Sequence, residues 1–132
     1  MDCSISGSVG GGRVVLLVDD YLDMVSIWSM ILSDLGYQVM VAKSKKEALQ
    51  VIDELNVIDI LVTDHRLGDG TGDEVLVYIK NKFPNIASIL YSGSQGILEK
   101  EMGFDECIVK PVTCDFLTER VEYCLLLHEE IF

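Results

Sequence analysis

Apolar and polar positions along the chain change period repeatedly. Residues 13–18, RVVLLV, form an unbroken apolar run after Arg13, the pattern of a strand buried on both faces. Helical spacing follows over 21–35, with Val25, Trp28, Leu32 and Leu35 on one side and Met24, Ile27 and Ile31 beside them. Gly36 stops that helix. YQVMVA at 37–42 reads as a second strand, and KSKKEALQVIDELN as a second helix. Ser44 is its N-cap and Glu47, three residues on, completes a capping box. Its core stripe is Ala48, Val51, Ile52 and Leu55. IDILVT at 58–63 is a third buried strand, followed by a loop at 64–71. A helix over 72–83 carries Val75, Leu76, Ile79 and Phe83, and Pro84 ends it. IASILYS at 86–92 and ECIV at 106–109 supply the fourth and fifth strands, separated by a short helix within 95–102 that Gly103 closes. Thr113 caps a final helix to about residue 128, with Phe116, Leu117, Val121, Cys124 and Leu125 facing inward.

Five β-then-α units without repeats predict one α/β domain at 13–128. Its parallel sheet is covered by helices on both faces and wound with right-handed crossovers. Residues 1–12, MDCSISGSVGGG, read as a flexible Gly/Ser lead-in, and 129–132 as a C-terminal end. The start has neither the basic nor the apolar region of a signal peptide, and no Lys-Ser/Thr pair makes its glycines a phosphate loop. No apolar run approaches the roughly 18–20 residues of a membrane span.

Charge narrows the partners. Ten basic against 22 acidic residues give a formal charge of −12. Nucleic acid and anionic membranes repel such a domain, so direct binding to either is not expected. Cys3, Cys107, Cys114 and Cys124 include no C-x-x-C pair and no His at metal spacing, which fits reduced thiols in the cytoplasm.

In parallel sheets, ligands bind beyond the carboxyl ends of the strands. Strand one ends in Asp19-Asp20, strand three in Asp64, strand four in Ser92-Gly93 and strand five in Lys110-Pro111. Three carboxylates brought together repel one another, and a divalent cation or a lysine relieves that cost. An all-oxygen set suits Mg²⁺, which keeps several waters and leaves a position open for a phosphoryl oxygen. Carboxylate, metal, ammonium and hydroxyl together suit phosphoryl transfer to an aspartate.

LLVDD, ILVTDHRLGDGTG, LYSGS and CIVKPV resemble, in order, the four signature segments of the receiver domain of two-component response regulators. The resemblance covers residue 13 to about 127. It implies a flavodoxin-like five-stranded parallel sheet of order 2-1-3-4-5, the order of a chemotaxis regulator. It implies that Asp64 is the phosphoacceptor. By the same resemblance Asp20 would bind Mg²⁺ directly, Asp19 mostly through water, and the Arg66 backbone carbonyl would be a further ligand. Ser92 would bond a phosphoryl oxygen, and Lys110 would pair with the phosphoryl group. The Lys110–Pro111 peptide is expected to be cis. A histidine kinase or histidine phosphotransfer protein is the implied donor, and an output partner or domain reads the switched state, with a homodimer as one form. The chain is then a stand-alone receiver or a module of a larger protein, and an enzyme only in the self-catalysed sense.

Four departures from the family pattern stand out. Gly68 replaces the usual Pro, predicting a looser loop. Cys107 replaces the usual Tyr or Phe that swings inward on activation. Only 17 residues separate Ser92 from Lys110, about one helical turn fewer than expected, so the fourth helix is shortened. Arg66 and Ser94 occupy the positions that flank the hydrolytic water, and the bulky cation of Arg66 predicts slow self-dephosphorylation. Two other readings remain. One is a degenerate receiver acting as a phosphorylation-independent interaction scaffold. The other is a haloacid-dehalogenase-like phosphatase, whose chemistry wants a second Asp where Arg66 stands. His65 and His128 carry no role in any of these readings; His128 suits a helix C-terminus.

Overall fold

The computed structural model of the chain describes residues 10–93 and 103–131. Five strands form one parallel sheet: β1 (Val14–Val18), β2 (Gln38–Ala42), β3 (Ile60–Asp64), β4 (Ala87–Ser92) and β5 (Glu106–Val109). Their order is β2-β1-β3-β4-β5, as expected. The described helices are α1 (Leu22–Asp34), α2 (Lys45–Glu54), α3 (Gly72–Lys82) and α4 (Cys114–Ile131). The short helix expected within 95–102 lies outside the described residues. No described helix is long and apolar enough to cross a membrane.

Every residue of β3 and β4 is buried, which is why both read as unbroken apolar runs. β2 is an edge strand and alternates between exposed and partly buried positions. Two cores lie on opposite faces of the sheet. Trp28 and Leu32 of α1 meet Leu117 and Val121 of α4 on one face. Ala48 and Ile52 of α2 meet Val75 and Ile79 of α3 on the other. The inward stripe of α4 is Leu117, Val121, Cys124 and Leu125, as the spacing predicts. Phe116 departs from that expectation: it is 45% exposed, because Leu117 takes the buried place beside it. Ile27 likewise faces out, at 49%. α4 also runs past the expected end near 128, to Ile131.

The helix termini are held by specific acceptors. α1 ends in a Schellman arrangement in which Gly36 (φ +97°) donates to Ser33 O and Tyr37 to Leu32 O. Ser44 Oγ accepts from Glu47 N–H at 3.1 Å, as predicted. The reciprocal bond is shifted by one residue, since Glu47 Oε1 accepts from Lys43 N–H rather than from Ser44. A complete capping box occurs instead at α3, between Thr71 and Glu74. Thr113 Oγ1 caps α4 by accepting from Phe116 N–H.

The expected lead-in is ordered at its last residues. Gly10 is buried, and its N–H donates to Leu35 O at 2.7 Å. Gly12 N–H donates to Gly36 O at 2.9 Å. Residues 10–12 therefore dock on the corner between α1 and β2, so the packed unit begins before residue 13.

Candidate functional site

The last rungs of the sheet carry the candidate residues. Asp19 N–H donates to Ala42 O, His65 N–H to Tyr91 O, and Lys110 N–H to Ser92 O. Each bond continues a ladder by one step past a strand, which fixes the backbone of Asp19, Asp64, Ser92 and Lys110 along one edge. The structure thus brings together groups that are far apart in sequence. Asp19, Asp20 and Asp64 place one carboxylate oxygen each within 4.8 Å of one another. Lys110 Nζ lies 2.9 Å from Asp64 Oδ2. Ser92 is buried at the end of β4, and the Lys110–Pro111 peptide is cis.

The three carboxylates differ in surroundings. Asp20 is exposed, Asp64 nearly buried and Asp19 fully buried. Burial raises the Asp19 carboxyl above the ordinary carboxylate range. Bonds from Tyr21 N–H (3.0 Å) and Tyr91 OH (2.7 Å) pull the other way. Removing a carboxylate from water costs several kcal/mol. Two charge-assisted hydrogen bonds return about 1.5–3 kcal/mol each, so they hold Asp19 without leaving a surplus. Asp64 accepts from its neighbour His65 N–H at 2.7 Å through Oδ1 and from Lys110 through Oδ2.

One ammonium against three carboxylates leaves a local excess of two negative charges. A divalent cation matches that excess. The ligand atoms are hard oxygens, with one carboxylate in solvent, and that set fits Mg²⁺ with retained waters.

The loop after Asp64 is tied on both sides. Arg66 pairs with Thr71 in an antiparallel bridge, and Leu67 N–H donates to Gly70 O. Gly72 N–H donates to His65 O, and a Cβ on Gly72 would stand 2.4 Å from Asp64 O. Only glycine lets α3 begin this close to the phosphoacceptor candidate. Gly68 has φ +81°, a value closed to the proline expected there. Asp69 reaches across to α2, where Oδ1 accepts from Lys45 N–H (2.8 Å) and Oδ2 from Lys46 N–H (3.0 Å). These ties oppose the looseness that the missing proline predicts. Arg66, two residues after Asp64, is exposed.

Two residues of this region were not singled out by the sequence. Tyr91 reads there only as part of a strand, and Asp69 only as part of a glycine-rich loop. Their partners lie 72 and 24 or 23 residues away, beyond any local signal. Elsewhere, Cys107 is partly buried, and burial raises its thiol above the usual range, with Glu106 adding to the rise. Cys124 is buried and pushed up to about 12. Neither thiol is ionised at neutral pH.

Comparisons with known proteins agree with this geometry. The sequence profile described as the response regulator receiver domain matches residues 15–122. The transcriptional regulatory protein ZraR of Escherichia coli K12 is 30% identical over 115 residues, covering 84% of this chain and 26% of ZraR. The CAI-1 autoinducer sensor kinase/phosphatase CqsS of Vibrio cholerae is 29% identical over 116 residues, covering 83% of this chain and 17% of CqsS. The chain thus spans about a quarter or less of these two relatives. A CheY-like receiver domain protein from Methanospirillum hungatei superposes with a TM-score of 0.83 at 26% identity, covering 91% of this chain and 98% of that one. The response regulator TrrA of Thermotoga maritima, solved in complex with Mg²⁺-BeF, gives 0.76 at 25% identity, covering 85% and 98%. From sheet order, strand-end chemistry and profile match together, the chain belongs to the response regulator receiver domain family.

Proposed function

We propose that the chain takes a phosphoryl group onto Asp64 from a phosphohistidine of a histidine kinase or phosphotransfer protein, and that this switches its strand-end surface for an output partner. The observation that carries this reading is the Lys110–Asp64 ion pair inside the three-carboxylate cluster. A bond forms between an Asp64 carboxylate oxygen and phosphorus. The nitrogen–phosphorus bond breaks, and its electron pair returns to the donor imidazole, which takes up a proton. Asp19, Asp20, Asp64 and the Arg66 carbonyl would hold Mg²⁺, which would supply charge neutralisation for phosphoryl oxygens. Lys110 keeps its positive charge beside the same oxygens, and the Ser92 hydroxyl donates to one of them. Nothing in this set needs a second protein catalyst, so transfer and hydrolysis are self-catalysed. The reading places the chain in the cytoplasm, with its kinase.

ZraR is a transcriptional regulatory protein and CqsS a sensor kinase/phosphatase, which supports a signalling role within a longer protein. Val109 of β5 and Phe116, Tyr123 and Leu127 of α4 are exposed apolar side chains that an output partner or a second copy could cover. Incubation with radiolabelled acetyl phosphate and Mg²⁺ tests the reading. Acid-labile, hydroxylamine-sensitive label is expected on the wild type and not on Asp64→Asn; equal labelling of both refutes Asp64 as the acceptor.

A further inference from the structure

One side chain touches both the anionic and the cationic parts of the site. Tyr91 is fully buried in β4. Its hydroxyl donates to Asp19 Oδ2 at 2.7 Å. Lys110 Nζ lies 5.3 Å from the centroid of its ring. Trp28 of α1 meets the ring edge-on, with centroids 4.9 Å apart at 77°. The other oxygen of Asp19 accepts from Tyr21 N–H, so each oxygen of this carboxylate has one fixed donor. Tyr21 is two residues along the chain, whereas Tyr91 comes from a different strand. The hydroxyl ties Asp19 to β4, the strand that carries Ser92.

We propose that Tyr91 is a positioning residue for the metal and phosphoryl site. Its hydroxyl fixes the rotation of the Asp19 carboxylate, and its ring face supports the Lys110 ammonium. The inference rests on the receiver reading above. A carboxylate with one of its two donors removed rotates about its last torsion, and its neighbours' charges push it away from Asp20 and Asp64. A preset carboxylate needs no such ordering when a cation arrives. Donors behind metal-binding carboxylates typically carry about 10–100-fold in metal affinity. The ring itself is already secured by Trp28, so the hydroxyl and the ring can be tested separately.

The test is calorimetric titration of the chain with Mg²⁺ alone, with thermal unfolding of each variant in parallel. Tyr91→Phe keeps the ring and is expected to weaken Mg²⁺ binding about tenfold. Trp28→Phe disturbs the same packing without touching Asp19, and is expected to stay within about twofold of wild type. In an Asp19→Asn background, Tyr91→Phe is expected to cost no further affinity, because the hydroxyl acts through Asp19. Unchanged binding by Tyr91→Phe overturns the inference. So does an equal loss in Trp28→Phe, which makes packing the cause, or full additivity with Asp19→Asn. A wild type that neither binds Mg²⁺ nor takes label from acetyl phosphate overturns the receiver reading and this inference together. A wild type that does both, beside an unaltered Tyr91→Phe, overturns the tyrosine's role alone.

Discussion

Lys110 Nζ and Asp64 Oδ2 stand 2.9 Å apart although they are 46 positions apart in sequence. One oxygen of Asp64 faces this ammonium and the other a backbone N–H, so the carboxylate is held at both ends. In the proposed reading the lysine is thus in place before a phosphoryl group arrives. Replacing Lys110 by Met is expected to leave the fold intact and to slow labelling by acetyl phosphate about a hundredfold, the scale of losing one preset charge partner at a reacting oxygen. Initial rates at saturating Mg²⁺ measure this directly, and an unchanged rate removes Lys110 from the chemistry.

Asp19→Asn is expected to stabilise the chain in EDTA. The amide fits the same place, with its oxygen toward Tyr21 N–H and its NH₂ donating to the Tyr91 hydroxyl, while one of three clustered charges disappears. Burial raises the native Asp19 carboxyl, so the folded chain binds this proton more tightly than the unfolded one. The group's contribution to stability is greatest at low pH and declines as pH climbs from the ordinary carboxyl value through the raised one. The advantage of Asp19→Asn over wild type should therefore grow from about pH 4 toward neutrality, by a few degrees of unfolding midpoint. Saturating Mg²⁺ should shrink or reverse it, since the ion stabilises whichever chain binds it better.

Asp69→Ala is expected to lower the unfolding midpoint and speed hydrogen exchange at the amides of Lys45 and Lys46. Both lose their acceptor in that variant. Bonds from Lys46 N–H and then Lys45 N–H hold the Asp69 carboxyl below its ordinary range. Its stabilising effect is accordingly present above the ordinary carboxyl pKa and fades as pH falls through the lowered one. Asp69→Asn, which keeps one acceptor oxygen, should fall between the two. Exchange measured residue by residue separates this local loss from a general loosening.

Arg66 is exposed two residues after Asp64, and its cation is expected to slow the approach of water to a phosphoryl group on Asp64. Arg66→Asn should shorten the lifetime of the label severalfold while leaving the rate of its formation nearly unchanged. Decay after removal of acetyl phosphate gives the lifetime. A wild-type half-life of seconds in Mg²⁺ would contradict the shielding role.

The sequence made the sheet legible because parallel strands buried on both faces leave unbroken apolar runs, as in β1, β3 and β4. Once the order of elements implied a parallel sheet, Asp19, Asp20, Asp64 and Lys110 had to share one edge. The pattern misplaces Phe116 because adjacent helical positions 116 and 117 are both apolar, and only packing against the sheet decides between them. Gly10 reads as part of a linker because a glycine's burial leaves no hydrophobic trace; a Cβ on it would stand 2.4 Å from the carbonyl carbon of Gly36. The hydroxyl of Tyr91 and the carboxylate of Asp69 were invisible for a related reason. Their bonds join different strands and helices, and no periodicity within one segment encodes them.

The reach of Asp69 across to α2 also bears on how such domains are recombined. Loop 64–71 would look like a portable cassette, bounded by a strand and a capping box. Its grip on the first turn of α2 makes residues 43–47 part of the same unit. Grafting the loop alone into another receiver would strip its anchor, and lengthening it would move the start of α2. A chimera that carries both segments should accept the transplant, whereas one that splits them should not.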